Sequence, residues 1–285
     1  MKKRTMMSLM SKLSAAILLS SVALFGATDA EIISFLEKQI GGNKNVSQLK
    51  VSVANRTPLA ELKGWESVIV SLNAHIKQGK QERDIDQQMI YFVSGDFITK
   101  EFNNVKTGAS LSSSVSPDFE NSFYTKENLI YGNANAKHKV AIFSDPLCPF
   151  CRRFVPEALE YMKKYPNDFA VYYYHFPLPA LHPAAITLTK AAIAAEQKGL
   201  KGQVKEMYKV EINARETDDS KILKAFNAQL GTSITLKDIH SAAVEKQFKF
   251  DKMVASKVMV QGTPTMFFDG KKDASKNKYK AVKVK

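Results

Sequence analysis

The chain has two cysteines, Cys148 and Cys151, and both lie between an apolar run and a helix-like run. Residues 140–143 are continuously apolar, which predicts a short strand buried on both faces. Apolar residues then recur at helical spacing over residues 150–162, and Pro149 fits the first helical position, where a missing N–H costs nothing. The pattern predicts a strand, a turn and a helix, with Cys148 at the N-cap of that helix.

This position favours the thiolate form of Cys148. Unpaired backbone N–H groups and the positive end of the helix dipole meet at a helix N-terminus. Both stabilise a thiolate, which is the form that attacks disulfides. Cys151, one turn further along, can then bond to Cys148 and release a bound disulfide partner. The spacing therefore predicts a redox pair, whose chemistry needs no metal and no organic cofactor.

Three other roles for the two cysteines fit the sequence less well. A zinc site would need a second pair of ligands, and no further Cys or His-x-x-His cluster is present. Covalent haem attachment would need a histidine where Arg152 stands. A purely structural disulfide remains as an alternative, although it would close an interval that a helix turn already fixes and so would constrain the unfolded chain little.

The sequence of residues 1–30 is typical of a secretory signal peptide. It has a basic N-terminal region, an apolar run over residues 13–25 and small residues before the expected cleavage site. Cleavage after Ala30 leaves Thr28 and Ala30 at the small-residue positions, whereas cleavage after Ala27 places Phe25 there. An uncleaved membrane anchor is the alternative, but the apolar run is short for a span. Export predicts a periplasmic location, where disulfides form and persist.

The charge of the chain points to a solvated basic surface. The formal net charge is +13, from 41 basic and 28 acidic residues. Without residues 1–30, which hold four basic residues and Asp29, 37 basic and 27 acidic residues remain, a net charge of +10. Because an exported chain seldom meets nucleic acid and the basic residues are spread out, we expect no nucleic-acid partner.

About 255 residues after the signal peptide suggest two domains. Residues 31–111 predict a small α+β domain with one helix followed by four strands, at residues 31–40, 49–53, 65–72, 89–93 and 97–102. This domain has no cysteine, and its single histidine, His75, is predicted to be a surface residue. Its small core and an unpaired strand edge favour pairing with a second copy, so we expect a homodimer. A segment rich in small polar residues follows, and residues 112–136 are predicted to be a linker. Within it, residues 117–131 could be a connecting helix or the first strand and helix of the next domain.

Residues 137–285 predict the second domain. After the Cys-bearing helix, residues 170–176 form a second strand. A long helical region begins at His182 and Pro183. Residues 184–195 are almost wholly small and apolar, which predicts a buried helix. Amphipathic runs follow near residues 203–212, 219–230, 236–243 and 246–258. Thr263 and Pro264 then precede a third strand at residues 266–268, and the Lys-rich tail is expected to add a strand at residues 280–284.

This order resembles the thioredoxin fold in its exported Dsb branch, since strand–Cys-Pro-Phe-Cys–helix, a helical insertion and Gly-Thr-Pro before another strand occur together. With the N-terminal domain, the chain resembles the DsbC and DsbG disulfide isomerases. Pro156 also matches the helix-kinking proline of thioredoxins. The resemblance implies an α+β protein with a C-terminal thioredoxin-like fold carrying a helical insertion, preceded by a small α+β (cystatin-like) dimerisation domain.

The resemblance also implies the roles of individual residues. Thr263–Pro264 would be a cis peptide facing the Cys148 sulfur, and substrate would bind there as an added strand and against Pro149 and Phe150. Isomerases of this branch commonly have threonine before the proline, as here, whereas DsbA oxidases commonly have valine. DsbA oxidases also have histidine where Phe150 stands, so we expect a milder oxidant.

Three positions depart from the family pattern or leave a choice open. The buried acid of thioredoxins and DsbA is Ile142 here, so proton transfer at Cys151 must use water or another group. Asp145 is nearer, but a loop-capping role is favoured. His182 is interpreted as a helix-start or packing residue; its likeness to the His-Pro step of some DsbA-like chains blurs the isomerase assignment.

The sequence thus predicts a periplasmic thiol–disulfide oxidoreductase, mainly a disulfide isomerase, with Cys148 and Cys151 as its catalytic residues. Its expected partners are exported proteins with disulfides and a membrane reductase of the DsbD type. One alternative is a DsbA-like oxidase served by a DsbB-type partner, or a bifunctional enzyme. An alternative of another class is a dimeric holdase chaperone in which the cysteines are incidental.

Overall fold

The computed structural model describes residues 26–59, 62–78, 81–106, 108, 110–113 and 115–284. The predicted signal peptide lies outside the described residues as far as residue 25. Its last residues are described, and the first helix, α1, begins within them at Asp29. Thr28 caps this helix in a capping box with Glu31. The neighbouring Asp29 carboxylate pairs with Arg56.

The N-terminal unit is one helix on a four-stranded antiparallel sheet. Its elements are α1 (Asp29–Gly41), β1 (Val46–Pro58), β2 (Glu66–Gln78), β3 (Gln81–Ser94) and β4 (Phe97–Thr99), and the strands lie in this order. Ile32 and Leu36 of α1 pack on apolar side chains of the sheet. β2 and β3 extend well beyond the predicted strands because their pairing continues through residues 73–78 and 81–88, which are mostly polar and have only Ala74, Ile76 and Ile85 as apolar residues.

The second sheet has five strands in the order β5-β7-β6-β8-β9. These are β5 (Leu129–Tyr131), β6 (His138–Ser144), β7 (Phe169–His175), β8 (Thr265–Phe268) and β9 (Lys271–Lys272). β6 and β7 run parallel, joined through helix α2 (Pro149–Lys163), and the other pairs are antiparallel. β9 was not predicted. It follows a two-residue turn in which Asp269 and Gly270 both have positive φ, as tight hairpins require.

The region between β7 and β8 is helical, as predicted. It holds α3 (Ala184–Ala195), α4 (Asp219–Leu230), α5 (Leu236–Ile239) and α6 (Ala242–Lys257). Residues predicted as an amphipathic helix near 203–212 form a 3-10 segment, Lys201–Lys209. The strand expected at residues 280–284 was wrong: the tail forms a 3-10 turn, Lys278–Ala281, because Tyr279 inserts into the core.

The predicted linker also contains part of the second sheet. β5 lies within residues 112–136, and Phe119 and Phe123 are buried on one face of the sheet. The sequence left a connecting helix and a first strand of the second domain open, because a three-residue strand has too few residues to display a period. Gly132 follows β5 with φ +79, and a Cβ atom there would clash with the carbonyl oxygen of Phe169.

The five-stranded sheet separates two cores. One contains α2, α3 and α4 with alternate residues of β6 and β7, and the other contains α6 and the two phenylalanines of the preceding segment. The protein is therefore of the mixed α+β class predicted, with a thioredoxin-like sheet and a helical insertion. Within the described ranges, every helix is too short or too polar to span a bilayer.

Candidate active site

The two cysteines lie at the start of α2, as predicted. Cys148 is the N-cap, in extended conformation, and Pro149 occupies the first turn. The two thiols are free. Both cysteines are buried, but Cys148 keeps 5% of its surface exposed whereas Cys151 keeps none, so a reagent would reach Cys148 first. The first helical turn thus separates a slightly exposed cysteine from a fully buried one.

The loop before β8 lies directly against Cys148. The Thr263–Pro264 peptide bond is cis, as the family resemblance implied. The Cys148 sulfur lies 3.6 Å from the carbonyl oxygen of Thr263. A backbone carbonyl therefore stands next to the sulfur at which exchange would occur, in the place where an extended substrate chain could pair with it.

Asp145 fixes the loop between β6 and α2. Its carboxylate is fully buried, and one oxygen accepts from the N–H groups of Leu147 at 2.7 Å and Cys148 at 3.2 Å. The other oxygen accepts from the N–H of Leu178 at 2.8 Å and lies 3.0 Å from Nδ1 of His182. The predicted loop-capping role of Asp145 is confirmed, and its link to a second loop was not foreseen.

The environment of Cys151 is apolar with a few hydroxyl groups. Burial raises the pKa of the Cys151 thiol to about 12, and the nearby Cys148 also raises it. The Ser144 hydroxyl, the Thr263 side chain and the Asp145 N–H oppose this rise in pKa. Ile142 is fully buried and offers no carboxylate, as its identity implies.

Ser144 belongs to a group of hydroxyls that sequence reasoning missed. Tyr208 donates to Ser144 Oγ at 2.6 Å, and the hydroxyl oxygens of Tyr173 and Tyr208 are also 2.6 Å apart. The three side chains come from β6, β7 and the 3-10 segment, and the last two lie 35 residues apart. No local sequence signal marks such a group, because it forms only when the helical insertion folds onto the sheet.

Exposed apolar side chains surround the pair. Phe150 is 63% exposed, with the Arg153 guanidinium 5.6 Å from its ring centroid, and Leu181 is 58% exposed on the loop bound by Asp145. A groove of about 280 Å³ adjoins Pro264. The predicted substrate-contacting residues, Pro149, Phe150, Thr263 and Pro264, therefore lie close to Cys148 in an accessible region.

His75 and His182 both lie against carboxylates. His75 lies on the N-terminal sheet and pairs with Glu82 and Asp84, away from the cysteines. His182 packs beside the active-site loop, in contact with Asp145. Over the part of the chain that the structure describes, no three His, Cys, Asp or Glu side chains are grouped to hold a metal ion.

Comparison with known proteins places these features in a family. A family described as thioredoxin matches residues 124–284, which is more than half of the chain. Among curated proteins, the Na(+)/H(+) antiporter NhaA 1 of Mycolicibacterium gilvum (strain PYR-GCK) is 26% identical over 147 residues. That match covers 50% of this chain, which spans only 23% of the relative.

Solved structures give three further comparisons. A thioredoxin-like oxidoreductase from Silicibacter pomeroyi DSS-3 is 23% identical, with a TM-score of 0.41, over 52% of this chain and 87% of that chain. A periplasmic thioredoxin-like protein from Salmonella enterica serovar Typhimurium is 22% identical, with a TM-score of 0.44, over 57% and 94%. Oxidised BdbD from Bacillus subtilis is 14% identical, with a TM-score of 0.44, over 59% and 92%. The family match, which includes both cysteines, their helix and the cis-proline loop, is the finding that decides: the chain belongs to the thioredoxin family.

Proposed function

We propose that the chain is a periplasmic thiol–disulfide oxidoreductase that acts mainly as a disulfide isomerase. The observation that supports this most directly is the arrangement at Cys148: an N-cap sulfur beside the cis-proline loop, with a second thiol buried behind it. Family membership supports redox chemistry at this pair. Thr263 and Phe150 favour the isomerase over a DsbA-like oxidase.

The first chemical step is attack by the Cys148 thiolate on a substrate disulfide. A bond forms between Cys148 Sγ and one substrate sulfur, the substrate S–S bond breaks, and the electron pair leaves on the second substrate sulfur. The helix N-terminus stabilises the attacking sulfur, and the Thr263 backbone holds the substrate chain beside it. The product is a mixed disulfide.

The mixed disulfide is resolved in one of two ways. Another substrate thiolate attacks the substrate sulfur, which completes isomerisation and frees Cys148. Alternatively, the Cys151 thiolate attacks Cys148 Sγ, which forms the Cys148–Cys151 disulfide and releases a reduced substrate. In the second case two electrons from a reductase, of the DsbD type by resemblance, are needed to restore the dithiol.

A trapping experiment tests the proposal. Replacing Cys151 with Ala removes the second route, so mixed disulfides with exported proteins should accumulate and should disappear on treatment with a reductant. The control is the Cys148→Ala variant, which should capture nothing. If both variants capture nothing from a periplasm that contains disulfide-bonded proteins, the enzymatic proposal is wrong.

The redox state of the cysteine pair in cells distinguishes the isomerase from the oxidase. A mainly dithiol pair supports the isomerase, whereas a mainly disulfide pair supports an oxidase recharged by a DsbB-type partner. A holdase chaperone would keep its protective effect on unfolding proteins in the Cys148→Ala variant. The proposed homodimer, through the N-terminal sheet, is tested by the mass of the chain in solution with and without residues 31–111.

A further inference from the structure

The groove of about 280 Å³ beside the cis-proline loop has two lysines in its wall. Thr263 and Pro264 form part of this wall, and the Thr263 carbonyl oxygen is also the atom that lies 3.6 Å from the Cys148 sulfur. Lys272 and Lys276 line the same groove. A substrate chain bound at Cys148 therefore enters a groove that carries two positive charges.

The hairpin of β8 and β9 fixes the positions of these lysines. Lys272 is the last residue of β9 and lies opposite Phe267 of β8. The N–H of Asp273 donates to the carbonyl oxygen of Met266 at 2.8 Å, so the pairing continues past the strand. The chain then turns back, and the Lys276 N–H donates to the Asp273 carbonyl oxygen at 3.1 Å. Lys276 has φ +56, a left-handed conformation that is uncommon for a residue with a side chain.

Neither lysine has a carboxylate partner among the described residues. The acidic residue in the wall of the groove is Asp273, and its own turn uses its carboxylate. One oxygen accepts from the N–H and the hydroxyl of Ser275 at 3.1 Å and 2.6 Å, and the other accepts from the Lys278 N–H at 3.0 Å. The Lys276 ammonium lies 3.5 Å from the carbonyl oxygen of Ala274.

The two positive charges are therefore poorly compensated where they stand. Both lysines are partly buried. Burial lowers the pKa of the Lys272 ammonium, and the positive charge of Lys276 lowers it further. Both effects destabilise the charged form, and an anion in the groove would oppose both. Lys271, the preceding residue, differs because it is exposed and pairs with Asp118 at 2.6 Å.

We infer that this groove is a subsite for an acidic side chain of the substrate polypeptide, held by Lys272 and Lys276 while Cys148 attacks the neighbouring disulfide. The inference rests on the proposed function and names the substrates it favours: exported proteins with Asp or Glu close in sequence to a disulfide-bonded cysteine. Hydrogen bonds from ammonium groups to a carboxylate are among the stronger ones in proteins. The subsite binds the substrate chain and takes no part in the exchange of sulfur bonds.

The experiment uses the full chain with its pair reduced and a set of short peptides. Each peptide carries one cysteine in a disulfide with a coloured aromatic thiol, which leaves when Cys148 bonds to the peptide sulfur. An extended chain advances about 3.3 Å per residue, so three residues on either side of the cysteine reach about 10 Å from it. Glu is therefore placed at each of these positions in turn, and each Glu peptide has a matched Gln peptide.

The quantity measured is the ratio of the second-order rate constants for the Glu and Gln peptides. An exposed ion pair changes an equilibrium by at most about fivefold. A partly buried subsite with two cations should exceed this, so we expect a ratio of about tenfold at the best position. Lys272→Met and Lys276→Met should each lower that ratio by about threefold, and 1 M salt should lower it in the unmodified chain.

A matched control separates the subsite from the overall charge of the protein. The chain has 41 basic and 28 acidic residues, so acidic peptides are also attracted without any specific site. Lys271→Met removes the same charge from the adjacent residue, which lies outside the groove, and should leave the ratio unchanged. Lys276→Met stands in a turn rather than in the sheet, which keeps the test valid if Lys272→Met folds poorly.

Each outcome has a defined meaning. A lower ratio in the groove variants with an unchanged ratio in Lys271→Met supports the inference. A ratio near one at every position in the unmodified chain, an unchanged ratio in both groove variants, or an equal fall in Lys271→Met overturns it. If the unmodified chain releases no coloured thiol from either kind of peptide, the proposed function itself has failed, and the inference falls with it.

Discussion

Replacing Asp145 should destabilise the protein more than its single carboxylate suggests. The side chain is fully buried and accepts four hydrogen bonds, two at each oxygen. These bonds connect the turn before α2 with the loop that carries Leu178 and His182. Asp145→Asn keeps the shape but replaces one acceptor oxygen with a donor, and Asp145→Ala removes all four acceptor positions.

The magnitude follows from the donors left without a partner. In Asp145→Asn, His182 can change tautomer and accept from the new NH2 group, which leaves only the Leu178 N–H unpaired. An unpaired buried donor costs about 1–3 kcal/mol, so this variant should lose about 2 kcal/mol of unfolding free energy. In Asp145→Ala four donors are affected, and the loss should be at least about 4 kcal/mol.

Urea denaturation of the reduced chain at neutral pH measures both losses. The control is Asp118→Asn, because Asp118 is an exposed carboxylate paired with Lys271 and should contribute less than about 1 kcal/mol. Attack by Cys148 on an aromatic disulfide should also slow in Asp145→Ala, where the Cys148 N–H loses its acceptor, but not in Asp145→Asn, which keeps the oxygen that accepts from it. If Asp145→Ala is no less stable than Asp118→Asn, the bridge between the two loops does not have the role assigned to it.

Three further predictions concern other parts of the structure. Burial raises the pKa of the Asp251 carboxyl from 3.8 to about 6. Between these pH values the folded state therefore binds more protons than the unfolded state. The free energy of unfolding should then fall as pH rises from about 4 to about 6. Asp251→Asn should flatten that part of a pH series of urea denaturations. Gly132→Ala should cost at least about 3 kcal/mol, because the new Cβ atom meets a carbonyl oxygen and φ is positive, and thermal unfolding will detect it. Since Thr28 caps α1 and Asp29 binds Arg56, we expect cleavage after Ala27 rather than Ala30, and the intact mass of the exported chain will distinguish the two sites.

The elements that position the cysteines were predictable because their patterns are local. Four apolar residues before Cys148 specify a buried strand, and Pro149 with the helical spacing after it specifies a helix start. α3 and α4 were predicted at their observed bounds for the same reason. By contrast, β2 and β3 run through polar residues whose hydrogen bonds hold them in the sheet, so hydrophobic periodicity could not reveal their length.

The two cysteines of the site were predictable from the sequence, whereas the buried side chains packed around them were not. Cys148 and Cys151 followed from residue type and spacing, and the cis peptide at Pro264 followed only from the family resemblance. Tyr208 stands in a 3-10 segment whose sequence resembles an ordinary amphipathic helix. Its approach to Ser144, 64 residues away in the chain, depends on how the insertion folds back onto the sheet.

Ser144, the last residue of β6, and Asp145, which directly follows it, affect different cysteines. The Ser144 hydroxyl lowers the pKa of the Cys151 thiol in the core, and the Asp145 carboxylate accepts from the N–H of Cys148 in the turn. Adjacent side chains of a strand point to opposite sides, so this division depends on the register of β6. That register pairs Ser144 with His175 of β7 and Phe143 with Thr265 of β8, the residue after the cis proline. A slip of one residue would exchange the two side chains and remove both contacts at once. The pairing of the central strands is therefore as necessary to the chemistry of the pair as the helix that carries it.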